Sequence, residues 1–293
     1  MKLAALHRDG GGTALHVAVE GGYVAVDELA SGTGASRLSG LADVGALFAL
    51  GRQARQELRA LDTSSARVVG EADARLAPPV TRPEKIICVG LNYADHIAET
   101  RGRRPERIVL FAKFPSCLVA HGDPIELPAV TEQLDYEGEL GVVIGERAKG
   151  VKAADALAYV GGYTIVHDVS ARDLQSAEAQ WIRGKALDTF APLGPVVLDA
   201  DDAPPIGEMR IRTLVNGEVR QDALCDLMLT PVPELIEHIS AAITLQPGDI
   251  IATGTPAGVG VGMDPPRFLQ DGDVVTIELD PIGTLTNAVR AAR

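Results

Sequence analysis

"LDYEGELGVVIG", residues 134–145, sets Asp135, Glu137 and Glu139 at every second position and then runs into Val142, Val143 and Ile144. Alternation of period two that ends in β-branched residues reads as a strand. Positions i, i+2 and i+4 of a strand share a face, so the pattern stacks three acids on one side of an otherwise core-like segment. Like charges so placed repel, and burying them is costly unless something positive offsets each one. A divalent cation is one such partner. Carboxylates two apart on a strand face suit a hard, oxygen-seeking ion such as Mg²⁺, Mn²⁺ or Ca²⁺. Asp168, in "IVHDVSARD" just after an apolar run, is the candidate third ligand. The competing reading of the same residues is a solvated edge strand.

The segments around this stretch share its texture. "KIICVGLNY", "IVLFAKF", "GGYTIVHDV", "IRTLVNGEVRQ", "DIIATGT" and "DVVTIEL" are short apolar or alternating runs punctuated by glycine and proline. Asn216-Gly217 between two such runs signals a hairpin. After residue 85, helical spacing is confined to stretches near 94–100, 152–158, 170–179 and 232–243. Many short strands with few helices predict a β-rich α+β fold with a mixed sheet rather than a doubly wound α/β sheet. Residues 1–75 read as a small N-terminal α/β domain. They hold a hairpin around Gly21-Gly22 and a helical run over 43–61 with Asp43 as its N-cap. The proline-rich "LAPPVTRPEK", residues 76–85, then leads into a catalytic domain over 76–293.

Composition narrows the class of function. With 40 acids against 27 bases, a net charge of −13 opposes a nucleic-acid partner, which needs a basic surface. No apolar stretch approaches the ~18 residues of a membrane span, and the N-terminus lacks the apolar run of a secretory signal. A cytoplasmic location with no membrane partner is the expectation. Three cysteines, Cys88, Cys117 and Cys225, make an odd number with no CxxC pair, so they read as small core residues. The glycine-rich "GDIIATGTPAGVGVG", residues 248–262, lacks the spacing of a dinucleotide or P-loop motif. It reads as a turn whose free backbone N–H groups, with the Thr253 and Thr255 hydroxyls, hold an anionic group.

Two further signals bear on chemistry. "GLNYADHIAET", residues 90–100, places His96 and Glu99 three apart on one helical face. A carboxylate beside an imidazole fixes its tautomer and raises its basicity, which makes a general base; the plain alternative is a surface pair. Lys185 lies in "WIRGKALDTFAPLGP" between a glycine and apolar residues, where a surface lysine is the bland reading.

Taken in order, GLNYxxHxxE, LFAKFPS, DYEGELGVVIG, HDVSARDLQ, GKALDTFAPLGP and GDIIATGTPAGVG resemble the fumarylacetoacetate hydrolase family over about residues 83–290. The resemblance implies a mixed β-sheet roll or barrel of that family's C-terminal type. It implies Glu137, Glu139 and Asp168 as ligands of Mg²⁺, with Mn²⁺ or Ca²⁺ as alternatives. His96 and Glu99 become the water-activating dyad on a mobile lid, and Lys185 helps to polarise the substrate. Arg172 and Gln175 match residues that contact substrate, and Thr255 matches a threonine that binds its carboxylate. Asp135 has no ligand role in the family pattern, which makes it a supporting or exposed acid. The implied activity is metal-dependent hydrolysis of a C–C bond in a 2-oxo acid such as an acylpyruvate or fumarylpyruvate. The alternative is a lyase or isomerase of the same family: an oxaloacetate or 2-oxo-diacid decarboxylase, or a 3-deoxy-2-oxo sugar-acid hydrolase or dehydratase. A homodimer acting on a small-molecule 2-oxo acid is the implied assembly. The arginine-rich segment 94–107 is expected to be mobile without substrate, having little apolar surface to anchor it.

Overall fold

The strand Gly138–Ile144 is buried at all seven positions, as the apolar run that follows Glu139 requires when both faces of a sheet are covered. It pairs antiparallel with Val160–His167 on one side and with Ile250–Ala252 on the other. The computed structural model describes every residue except Gly32 and Arg293. From the central strand the large sheet extends both ways. In one direction Ile250–Ala252 runs parallel to Ile86–Gly90, which pairs with Val109–Lys113. In the other, Val160–His167 pairs with Ala191–Asp199 and that strand with Lys2–His7, followed by Thr13–Val19, Gly22–Ala25 and Val68–Gly70. Two shorter strands branch from this path to make twelve in all.

A second, five-stranded sheet runs in the order Glu218–Leu224, Arg210–Val215, Val274–Asp280, Gly283–Ala291, Ile125–Leu127. The hairpin at Asn216-Gly217 turns with positive φ at both residues, 51° and 81°, as a two-residue type I′ turn demands. Helices are short. The longest, Val232–Ala242, buries Val232, Leu235, Ile236 and Ile239 at helical spacing. The fold is therefore α+β, β-rich and mixed. The expected closure into a barrel is not seen: no ladder joins Val68–Gly70 to Val109–Lys113 among the described residues.

Strands from the first 75 residues extend the same large sheet, with Lys2 opposite Leu198 and Leu3 opposite Val197. Leu3, Leu15, Leu47 and Phe48 share one apolar cluster with Val143, Val166, Val197 and Ile250. Gly161 makes that contact possible, since a Cβ there would lie 2.3 Å from the Phe48 ring. Asp43 caps the helix Val44–Ala49, accepting from the Ala46 amide at 2.8 Å. No helix of the described residues is long and apolar enough to cross a membrane.

The stretch 134–145 is not one continuous strand. Leu134–Asp135 pairs with Ser170–Ala171 in a separate two-stranded ladder, and the main-sheet strand begins only at Gly138. The break follows from what each side must reach. Asp135 serves the loop at 260–261, while the Glu137 carbonyl accepts the Asp168 amide at 2.9 Å and brings the end of the neighbouring strand alongside.

Candidate metal centre and proton-transfer site

Glu137 leads into the central strand, Glu139 lies within it, and Asp168 follows its neighbour Val160–His167. Each of the three offers a carboxylate oxygen, and these oxygens lie within 4.8 Å of one another. All three residues are buried, at 4%, 1% and 0% exposure, which rules out the solvated edge strand. Asp135 is buried as well, so the structure holds four acids at one place.

Three cations answer them. Lys185 Nζ donates to Glu137 Oε2 at 2.6 Å and to Asp168 Oδ2 at 2.9 Å. Arg172 donates from Nε to Asp135 Oδ2 at 2.8 Å, and its Nη2 lies 2.7 Å from Glu137 Oε1. Lys113 Nζ lies 2.7 Å from Asp168 Oδ1. Its three protons, however, go to the carbonyls of Val169, Lys185 and Phe190. Asp168 Oδ1 is thus close to a positive charge yet accepts no hydrogen bond, a buried oxygen with a lone pair free.

Four buried carboxylates against three buried cations leave one negative charge uncompensated. Glu139 is the acid without a cation; it accepts only the Gly254 amide, at 2.9 Å. Burial, then the charges of Asp168 and Glu137, push its carboxyl well above the usual carboxylate range. Burial acts the same way on Glu137, but Lys185 and Arg172 outweigh it and hold that group below the range. An all-oxygen donor set with a surplus negative charge and a free carboxylate oxygen fits a hard divalent cation.

The dyad sits on the helix Ala94–Glu99. His96 Nδ1 is 2.8 Å from Glu99 Oε1, and the other Glu99 oxygen accepts the Gly258 amide at 2.8 Å. That bond assigns the imidazole proton to Nδ1 and leaves Nε2 with its lone pair. The helix is docked rather than adrift, because Ile97 and His96 are both only 6% exposed. The expectation of mobility applied to the whole of 94–107 overlooked Ile97 and the Glu99 bond; Arg101, Arg103, Arg104 and Arg107 do point to solvent.

One cavity of about 340 Å³ gathers most of the candidates: His96, Glu137, Glu139, Arg172, Gln175, Lys185 and Thr255 all line it. Asp168 and Glu99 are not part of the lining but bond to residues that are, Asp168 to Lys185 and Glu99 to His96. Gln175 accepts from Arg172 Nη1 at 3.1 Å. The Thr255 hydroxyl donates to the Gly138 carbonyl at 2.9 Å and accepts from Gln221 at 2.7 Å. Val89, Phe111 and Trp181 supply the apolar part of the lining; the Phe111 and Trp181 rings meet edge to face at 5.4 Å, and the Phe111 ring centre lies 5.1 Å from Lys185 Nζ.

The glycine-rich loop does hold anions, but they are the protein's own carboxylates. Gly254 donates to Glu139, Gly258 to Glu99, and Gly260 and Val261 to Asp135. Gly258 adopts φ +110°, and a Cβ there would lie 1.9 Å from the Arg220 carbonyl oxygen. Thr253 donates to the Leu140 carbonyl, so both threonine hydroxyl protons are directed to backbone carbonyls. Residue reading passed over Lys113 and Trp181. The signal for the first was a lysine inside the apolar run "IVLFAKF"; the second is the one tryptophan of the chain.

Residues 85–290 match the family model described as fumarylacetoacetate (FAA) hydrolase C-terminal. The chain belongs to the fumarylacetoacetate hydrolase family. It is an enzyme of that family. It is 46% identical over 224 residues to oxaloacetate tautomerase FAHD2A, mitochondrial, of Bos taurus, spanning 76% of this chain and 71% of that protein. The fumarylacetoacetate hydrolase of psychrophilic Exiguobacterium antarcticum superposes with a TM-score of 0.87 at 40% identity, covering 100% of both chains. Maleylpyruvate hydrolase from Sphingobium sp. SYK-6, solved with manganese(II) ion and pyruvate, gives a TM-score of 0.81 at 29% identity, again over 100% of both. The family fold thus accounts for the β-rich architecture.

Proposed function

We propose that this enzyme is a divalent-metal-dependent isomerase of a 2-oxo acid, interconverting the enol and keto forms of oxaloacetate. The observation that carries the reading is that one cavity holds both a single imidazole base and an acid cluster short of one cation. Tautomerisation needs no more than that, because a proton moves at one carbon and no bond between heavy atoms breaks. The tautomerase name of the relative that is 46% identical favours it over hydrolysis.

Glu137, Glu139 and Asp168 would hold the cation, with Mg²⁺ the first candidate and Mn²⁺ supported by the solved relative. When bound there, the metal supplies Lewis-acid stabilisation of negative charge on the 2-oxo acid. His96 Nε2 takes the proton from C3 of the keto form and returns it in the reverse direction. Glu99 balances the charge of the imidazolium so formed. Two of the three Lys185 protons are committed to Glu137 and Asp168, which leaves one to donate to the substrate oxygen that becomes negative. The proton on that oxygen exchanges with water. Arg172 keeps Glu137 ionised and presents Gln175 at the rim.

Hydrolysis of an acylpyruvate would use the same base on a water molecule, and the maleylpyruvate hydrolase relative keeps that reading as the second one. The test follows the ultraviolet absorbance of enol-oxaloacetate in Mg²⁺, with pyruvate assayed in parallel. The expected result is a loss of enol faster than in buffer, without pyruvate, abolished by chelator. His96→Asn should slow it on the order of 10²- to 10⁴-fold. Conversion no faster than in buffer, together with cleavage of an acylpyruvate, refutes the isomerase.

A further inference from the structure

A second cavity, also of about 340 Å³, lies where the helix Arg52–Arg59 meets the strand Val160–His167 and the chain at 200–206. It shares no lining residue with the first. The helix places Arg52, Arg55 and Arg59 on one side, and their partners differ. Arg59 is paired twice, with Asp199 at 3.0 Å and Asp202 at 2.8 Å. Arg52 reaches the Ala158 carbonyl at 2.9 Å.

Arg55 is the exception. It is 3% exposed, with its guanidinium 5.4 Å from the centre of the Phe48 ring. Nη1 donates to the Gly161 carbonyl at 3.1 Å, and Nε has no partner. No carboxylate lies within ion-pairing distance of it among the described residues. Arginine does not shed its proton when buried, so the charge stays and its counter-ion is missing. Tyr163, 6% exposed, lines the same space, and its hydroxyl has no hydrogen bond to the described protein. Burial pushes this phenol up to about 12, so it remains an O–H donor at neutral pH. Val160, Pro205 and Ile206 supply apolar wall, and Asp201 at the rim is the one acid of the lining.

We propose that this cavity binds a small organic carboxylate, its charge on Arg55, an oxygen hydrogen-bonded by Tyr163, and its hydrocarbon part against Val160, Pro205 and Ile206. A guanidinium meets a carboxylate with two parallel donors, and the apolar walls select against a bare inorganic anion. The inference does not rest on the reaction proposed above, and its test reads a different part of the molecule.

The experiment is hydrogen exchange of the full chain, analysed by mass, with benzoate as the probe. Slower exchange is expected in peptides covering 52–59, 157–163 and 200–206. Arg55→Met should raise the benzoate concentration for half-protection on the order of tenfold or more, because a charge-assisted bond is lost, while leaving turnover of the 2-oxo acid unchanged. Tyr163→Phe keeps the ring and should raise it about fivefold; it also carries the test if Arg55→Met does not fold. Protection confined to 133–139 and 172–185 places benzoate in the first cavity only and overturns the proposal. So does equal protection by inorganic phosphate, or a benzoate response that neither substitution weakens.

Discussion

The charge count at the acid cluster makes a prediction of opposite sign for two neighbouring glutamates. Glu139 has no cation partner and accepts one backbone amide, a bond that a glutamine oxygen can also accept. In chelator, Glu139→Gln removes a buried carboxyl that folding must either leave unbalanced or protonate, so the variant should be more stable than the parent by about 2 kcal/mol. At ~2 °C per kcal/mol for a chain of this size, that is a rise of roughly 4 °C in Tm. Glu137→Gln breaks ion pairs with both Lys185 and Arg172, leaving each buried cation with a single carboxylate partner, Asp168 and Asp135 respectively. It should cost about 3–5 kcal/mol under the same conditions. Mg²⁺ then reverses the first ranking. At about 1,000 times its Kd a ligand adds about 4.1 kcal/mol to the parent, and a variant lacking the Glu139 charge should gain little of it. Thermal unfolding of the three proteins with chelator and with excess Mg²⁺ tests this directly. A chelated Glu139→Gln protein that melts below its parent, or a Mg²⁺ shift equal in both, would refute the charge argument.

Other expectations are shorter. Lys113→Met should destabilise by at least about 3 kcal/mol in urea titration, since it leaves three buried carbonyls without their donor and Asp168 with Lys185 as its one remaining cation. Gly258→Ala should lower stability by about 1–3 kcal/mol through backbone strain and reduce turnover through Glu99; intact turnover would show that the Gly258 amide does not position the dyad. His96→Asn should leave the Mg²⁺-induced Tm shift unchanged while activity falls. Light scattering should give the mass of a homodimer, and a monomer at micromolar concentration would contradict that expectation.

How much of this was legible depended on whether a residue's environment is encoded nearby in the chain. The run Gly138–Ile144 announces its own burial, and Asn216-Gly217 its own turn, because local pattern decides both. Glu137 and Glu139 were legible for the same reason: two acids opening an apolar strand contradict it unless they are used. Asp135 was misleading, since it continues the alternation in sequence but belongs to another ladder, a break imposed by contacts at 170–171 and 260–261. The cations were harder still. Lys185 and Lys113 approach the acids from segments far along the chain, and only the folded sheet brings them together. The loop at 254–261 showed why glycine spacing alone says little. Its amides bind anions as expected, but the anions come from residues 99, 135 and 139.

That loop has a consequence for how one architecture accommodates several reactions. It links the carboxylate behind the base, an acid of the cluster and the partner of Arg172, and it does so through main-chain amides alone. Three of the four donors are glycines where a Cβ would lie 2.8 Å or less from a neighbouring atom, so the distance from imidazole to acid cluster is fixed by backbone that has no room for a side chain. The aromatic part of the lining, Phe111 and Trp181, lies outside that loop and makes no hydrogen bond to the three bridged carboxylates. Proton transfer at one carbon and attack by water on another differ in what lies against that aromatic wall. A hydrolase and a tautomerase can then share the same base and the same acids, and part ways at two rings.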